Sequence, residues 1–343
     1  MVIGSMIAGA TPLGGGIVAF PVSVLILGFT PPQGRDFSLL IQSVGMTAAS
    51  FLILYKKQLL LAECGDLMGK LVLMSVIGLI VGFELLGTVS PYIMNIVYTT
   101  TVVCIVIVFT YQNFINDRLK HKPDNEANEN NSEEIIHLDD GCVENVADDS
   151  TTLPLKMTKE ERRLAFTLNY FALPLFGIAG GILSSQIGSG ADIACYLYGS
   201  FANTLLPQNV GQTQMSNNSL TAMSVIVMAS TSVFGSVLRL SSQLDPSMEV
   251  SEEALSVLFA CAPVVVLGAP IGSLLLTPPN QQRLKYVFYM LGILQLFVFG
   301  VIKIGSDVKA WAAIAGAIGC AVAGSIFMHF TISGRKQTKD EAN

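Results

Sequence analysis

Nine apolar runs divide the chain, at roughly residues 1–29, 37–55, 67–89, 91–116, 164–205, 213–235, 254–276, 286–303 and 308–332. Most approach the ~20 residues that a helix needs to cross the hydrocarbon core of a bilayer. The pattern predicts an all-α polytopic membrane protein. Two of the runs are broken by glycine, at Gly9-Ala10-Thr11-Pro12-Leu13-Gly14-Gly15-Gly16 and at Gly181-Ile182-Leu183-Ser184-Ser185-Gln186-Ile187-Gly188-Ser189-Gly190. Such breaks free backbone groups that lipid cannot satisfy. They survive where they are buried in protein or line a watery cavity, and in transporters that place is the substrate site.

The fourth and fifth runs are separated by a stretch of different chemistry. Residues 117–163 are read as a disordered acidic linker on the cytoplasmic side, with too little apolar surface to fold. A solvated spacer explains its charge more simply than an interaction tail. The linker divides the chain into a first transmembrane repeat, residues 1–116, and a second, residues 164–304, followed by an extra C-terminal helix and tail over 305–343.

The two parts resemble one another. At an offset of 174, Gly14 and Gly16 fall on Gly188 and Gly190, while Thr47, Ala48 and Ser50 fall on Thr221, Ala222 and Ser224. Close packing of small residues produces some such matches without common ancestry. Their shared order favours duplication. Each repeat is then a glycine-broken helical hairpin followed by about three transmembrane helices.

Charge chooses between parallel and inverted repeats, because Lys and Arg gather in cytoplasmic loops. If 164–205 enters and returns, 15 basic residues lie inside and 4 outside (Arg35, Arg239, Lys303 and Lys309). If it crosses once, the division falls to 13 against 6. The inverted arrangement is expected, and the loop at 277–285 then shares the linker's side. The shorter run at 1–29 has either a clipped first arm or a late start, with no cleavable signal pattern.

Composition agrees with a membrane protein. Of 343 residues 51% are hydrophobic and 13% charged, and the mean hydropathy is +0.58. The formal charge of −6 is misleading, because residues 123–155 hold ten acids and no Lys or Arg. Six scattered cysteines have no metal or disulfide spacing. His121, His137 and His329 build no metal or nucleophile constellation, so neither metal nor cofactor is expected. Nucleic-acid binding has no basic, aromatic surface to rest on.

The pattern Gly9-x4-Gly14-Gly15-Gly16-x4-Pro21, then Gly28-Phe29-Thr30-Pro31, and the later Leu267-Gly268-Ala269-Pro270-Ile271-Gly272-Ser273 before Arg283-Leu284-Lys285 resemble the sulfite exporter TauE/SafE family of membrane transporters. The resemblance covers most of the chain outside the linker, whose length is unlike compact bacterial members and looks eukaryotic. It implies transport of a small anion such as sulfite, a sulfonate or another organic anion. The expected partners are that anion and the lipid bilayer, in the plasma membrane or an endomembrane, with self-association left open.

The residues suit an anion up to a point. A half-helix starting after Gly16 or Gly190 would aim backbone N–H groups and a partial positive charge at the cavity. Candidate binding residues are Gly14, Gly15, Gly16, Ser185, Gln186, Gly188, Ser189 and Gly190 at the breaks, with Gln42, Ser43 and Thr47 in one following helix and Gln214, Asn217, Asn218 and Thr221 in the other. Helix–helix hydrogen bonding explains any single Ser or Thr equally well.

Asp192 is the exception, a carboxylate beside the expected anion site. It either couples transport to a proton or caps a helix near the water boundary. Arg239, at the end of a span, is expected to snorkel to water. A non-transporting receptor or scaffold that signals through the linker is the alternative function. An intramembrane aspartyl protease is remote, because Asp36 and Asp307 sit at loop edges and leave Asp192 without the second carboxylate that chemistry requires.

Overall fold

In a computed structural model, residues 2–11, 14–56, 58–86, 166–205, 215, 217–241 and 250–275 are described, with isolated positions between 90 and 110 and between 286 and 319. The linker and most of the runs at 91–116, 286–303 and 308–332 lie outside the described residues, as does Gln214. The described elements are helical: α1 (Val2–Ala10), α2 (Gly16–Pro21), which continues into a π-helical turn at Val22–Ile26, α3 (Pro31–Lys56), α4 (Gln58–Leu86), a π-helical turn at Leu168–Ala172 leading into α5 (Leu173–Ile187), α6 (Ala191–Leu205), α7 (Asn217–Leu240) and α8 (Glu252–Leu274). Five of them are long and apolar enough to cross a membrane. Large side chains left exposed on the outside, such as Phe51, Leu175, Phe259 and Leu267, are apolar. A soluble protein buries such faces; lipid does not require it.

Packing directions follow from residue pairs in contact. Ser50 Oγ donates to the Val225 carbonyl, Ser236 Oγ to the Leu39 carbonyl, and Arg239 meets Asp36, so α3 and α7 run antiparallel. α4 and α5 run parallel: Gly177 packs on Met74, Gly181 on Ser75 and Leu79, and Gly82 on Ile182 and Ser185. α1 and α8 are also parallel, with Ser5 on Gly268, Met6 on Gly272 and Gly9 on Ala269 and Ser273. Both pairs use glycines four residues apart on one face, Gly78 and Gly82, Gly177 and Gly181, Gly268 and Gly272. Small residues at this spacing bring helix backbones close enough for dispersion contacts to hold them in lipid.

Two further interfaces are also related. Phe37, Leu40 and Ile41 of α3 pack on Ala254, Leu258 and Val265 of α8, while Leu79 and Phe83 of α4 pack on the Gly235–Leu238 stretch of α7. α6 turns back along α5, with Gly180 against Ala194 and the Ala191 N–H donating to Ser184 Oγ at 3.0 Å.

A Cβ at Gly181 would run into the Ser75 carbonyl and backbone atoms of Gly78 and Leu79. None of these is a flexible side-chain end, so Gly181→Val should cost roughly 3 kcal/mol of stability through overpacking. Its thermal unfolding midpoint in detergent is expected to drop well below that of Gly69→Val, where nothing lies within 4 Å of the added carbon.

Candidate functional site

The two glycine breaks meet. Gly16 lies against the Ser189 side chain, and a Cβ on Gly14 would collide with Asp192 Oδ2 and stand 3.1 Å from Gln42 Oε1. Gly14 and Gly188 hold φ of +61° and +81°, left-handed values that glycine adopts without strain. Gln42 of α3 ties the junction together. Its Nε2 donates to the Gly188 carbonyl at 2.6 Å and to Ser38 Oγ at 3.1 Å. Gln42 falls near the middle of the 26-residue α3, so the junction lies well inside the span.

Asp192 is the second residue of α6 and is fully buried. The Ile193 N–H donates to its Oδ1 at 2.9 Å, and the Ser189 hydroxyl faces the same carboxyl. Its carboxyl lies among the N–H groups of Gly190, Asp192 and Ile193 at the start of α6. The half-helix offers fewer donors to a ligand than the sequence suggested, because Ala191 N–H bonds to Ser184 and Ala194 N–H to the Gly190 carbonyl.

Three buried side-chain oxygens, Asp192 Oδ2, Gln42 Oε1 and Gln186 Oε1, have no hydrogen-bond partner among the described residues. Orphaned buried acceptors cost about 1–3 kcal/mol each, so their persistence calls for a missing donor. The first two flank the same point above Gly14. Beside them, Gly15 and Gln42 line a half-open cleft with Ser5, Ala8, Ile41, Met46 and Val265, whose cavity volume of about 20 Å³ holds one water-sized group.

The remaining candidates divide. Ser43 and Thr47 are half-buried, and their hydroxyls bond to carbonyls of their own helix, at Leu40 and Ser43. Ser185 and Gln186 face α4, where Gln186 Nε2 donates to the Gly82 carbonyl at 3.0 Å. Thr221 is buried in α7. Asn217 and Asn218 open α7, and their side chains lie outside the described set.

A second polar cluster lies two turns from Gln42 and was missed in the sequence. Arg35, Asp36 and Arg239 are all buried. Asp36 Oδ1 accepts from Arg35 Nε at 2.9 Å and from Arg239 Nε at 3.1 Å, and Oδ2 accepts from Arg239 Nη2 at 2.5 Å. The Phe83 ring sits 5.8 Å from each guanidinium carbon. Arg239 thus does not snorkel to water, and Asp36 is inside α3 rather than at a loop edge. Committed to two arginines, Asp36 is not the partner carboxylate of a protease dyad.

Apolar helices on the scale of a membrane, meeting at two buried glycine breaks, define a polytopic integral membrane protein with a polar centre. The family model described as "Sulfite exporter TauE/SafE" matches residues 1–298, and the chain belongs to that family of membrane transporters. No curated protein and no solved structure matches the chain.

Proposed function

We propose that the protein is a proton-coupled carrier of a small anion, with sulfite, a sulfonate or another small organic anion as substrate, working by alternating access around the junction of the two breaks. The observation that carries this reading is the pair of orphaned acceptors, Asp192 Oδ2 and Gln42 Oε1, buried where the breaks meet. An ionised Asp192 repels an anion in a medium of low dielectric. Protonation removes that charge and turns Oδ2 into a donor within the same polar cluster as Gln42 Oε1. One proton thus relieves the missing-donor problem and admits the substrate, so the two ligands favour each other.

Inverted repeats explain the packing directions. A two-fold axis in the membrane plane sets matched helices antiparallel, as α3 and α7 are, whereas an axis along the membrane normal would set them parallel. The same axis exchanges the α1–α8 pair with α5–α4 and the α3–α8 pair with α7–α4. Each repeat then opens with a broken hairpin, α1–α2 or α5–α6. A cysteine at position 280 is expected to be labelled from the cytoplasm; labelling from outside in intact cells would overturn this topology.

The direct test is flux. Proteoliposomes should take up sulfite faster than protein-free vesicles, and faster still when the outside is made acidic. No protein-dependent uptake of sulfite, sulfate or small carboxylates would rule out the carrier and favour a receptor or scaffold.

A further inference from the structure

The Arg35–Asp36–Arg239 cluster holds two positive charges and one negative, all buried between α3 and α7. Asp36 uses both oxygens, chiefly on Arg239, which it binds in bidentate fashion. Arg35 bonds to Asp36 through Nε alone. Among the described residues Arg35 makes no hydrogen bond through its two Nη groups, the edge that matches an oxyanion best. A buried charge without a counter-ion is strongly unfavourable, and the cluster is short of one negative charge.

Its position is as informative as its charge. Arg35, Ser38 and Gln42 follow one another at i, i+3 and i+7 on one face of α3, and all three touch the second break. A Cβ on Gly188 would stand 2.7 Å from the Arg35 carbonyl and 2.9 Å from Ser38 Cβ, and Gln42 bonds to the Gly188 carbonyl. A polar stripe of about 10 Å, two helical turns, therefore joins Arg35 to the junction.

We propose that Arg35 and Arg239 form a second anion station, which binds a small oxyanion at the Arg35 Nη edge before or after it occupies the junction. Asp36 is the resident counter-ion with which the substrate competes. The station rests on the anion-carrier reading for its purpose, but not for its binding chemistry. Because Asp36 bridges α3 and α7, an anion that draws the arginines from it also loosens the contact between those helices.

Two variants move the charge in opposite directions. Arg35→Gln should raise the KM for sulfite at least tenfold, and Asp36→Asn should lower it severalfold. A cluster that only ties α3 to α7 would give reduced yield and maximal rate in both, with KM unmoved or raised in both; either result overturns the proposal. Should Arg35→Gln fail to fold, Arg35→Lys keeps the charge and loses the fork. A KM raised threefold or more then supports the station, and a wild-type KM overturns it.

Binding is read separately from transport by the shift of the unfolding temperature with sulfite and with sulfate. If the wild type shows no flux yet is stabilised by either anion, and Arg35 substitution removes that effect, the station stands and the carrier reading falls. If flux is present but both KM and stabilisation ignore Arg35, the station falls and the carrier reading stands. The absence of both flux and stabilisation overturns the two together.

Discussion

Asp192→Asn is expected to abolish the stimulation of transport by a pH gradient while leaving anion exchange intact. The amide has the shape of the protonated acid and carries a donor where Oδ2 now lacks a partner. It can reach toward Gln42 Oε1 without binding a proton, and it adds no charge to repel the anion. The variant should therefore bind substrate at any pH, with a flux ratio between acidic and neutral exteriors close to one, where the wild type shows a severalfold ratio. The fold should persist, because Oδ1 keeps its bond from the Ile193 N–H and Asn suits the first turn of a helix. If the Asn variant retains full gradient-driven flux, Asp192 is a structural residue of α6 and the proton enters elsewhere.

The second large effect is expected at Gly14. Alanine there meets a backbone penalty of about 1 kcal/mol for its left-handed φ, and its methyl collides with Asp192 Oδ2 and crowds Gln42 Oε1. Gly28 provides the control. Its φ is +72°, so alanine incurs the same backbone penalty, but nothing lies within 4 Å of the added carbon. Gly14→Ala should lose tenfold or more of its flux, and Gly28→Ala, which carries the backbone penalty without the collision, should keep most of it. Equal losses in the two variants would mean that the junction is not where substrate passes.

Much of this centre was legible in the sequence. Glycine runs inside apolar segments have few uses in lipid, so Gly14–Gly16 and Gly188–Gly190 stood out, and an amide such as Gln42 in an apolar helix pointed the same way. Ser43 and Thr47 carry the same signal as Gln42 but satisfy themselves on their own helix carbonyls; the sequence does not say which face of α3 turns toward the break. The charged cluster was hidden for a different reason. Arg35, Asp36 and Arg239 stand at the margins of apolar runs, where charges ordinarily mark the water boundary. α3 begins at Pro31, six residues before the apolar run at 37–55, and α7 continues to Leu240, beyond the end of the run at 213–235. Only the contact between residues 203 apart in sequence turns two boundary charges into one buried group.

The pairing of α4 with α5 and of α1 with α8 bears on how the chain comes to be assembled. α4 finds its close glycine contacts across more than 80 residues of intervening chain, and α1 must wait for α8, nearly the last element described. Early in synthesis the Gly78–Gly82 face of α4 and the Gly9 face of α1 lack α5 and α8, and the first four helices do not supply these partners. Folding is then a late, concerted event that follows insertion. A chain cut between residues 116 and 163 should yield two fragments that are each degraded when made alone and that rescue one another when made together.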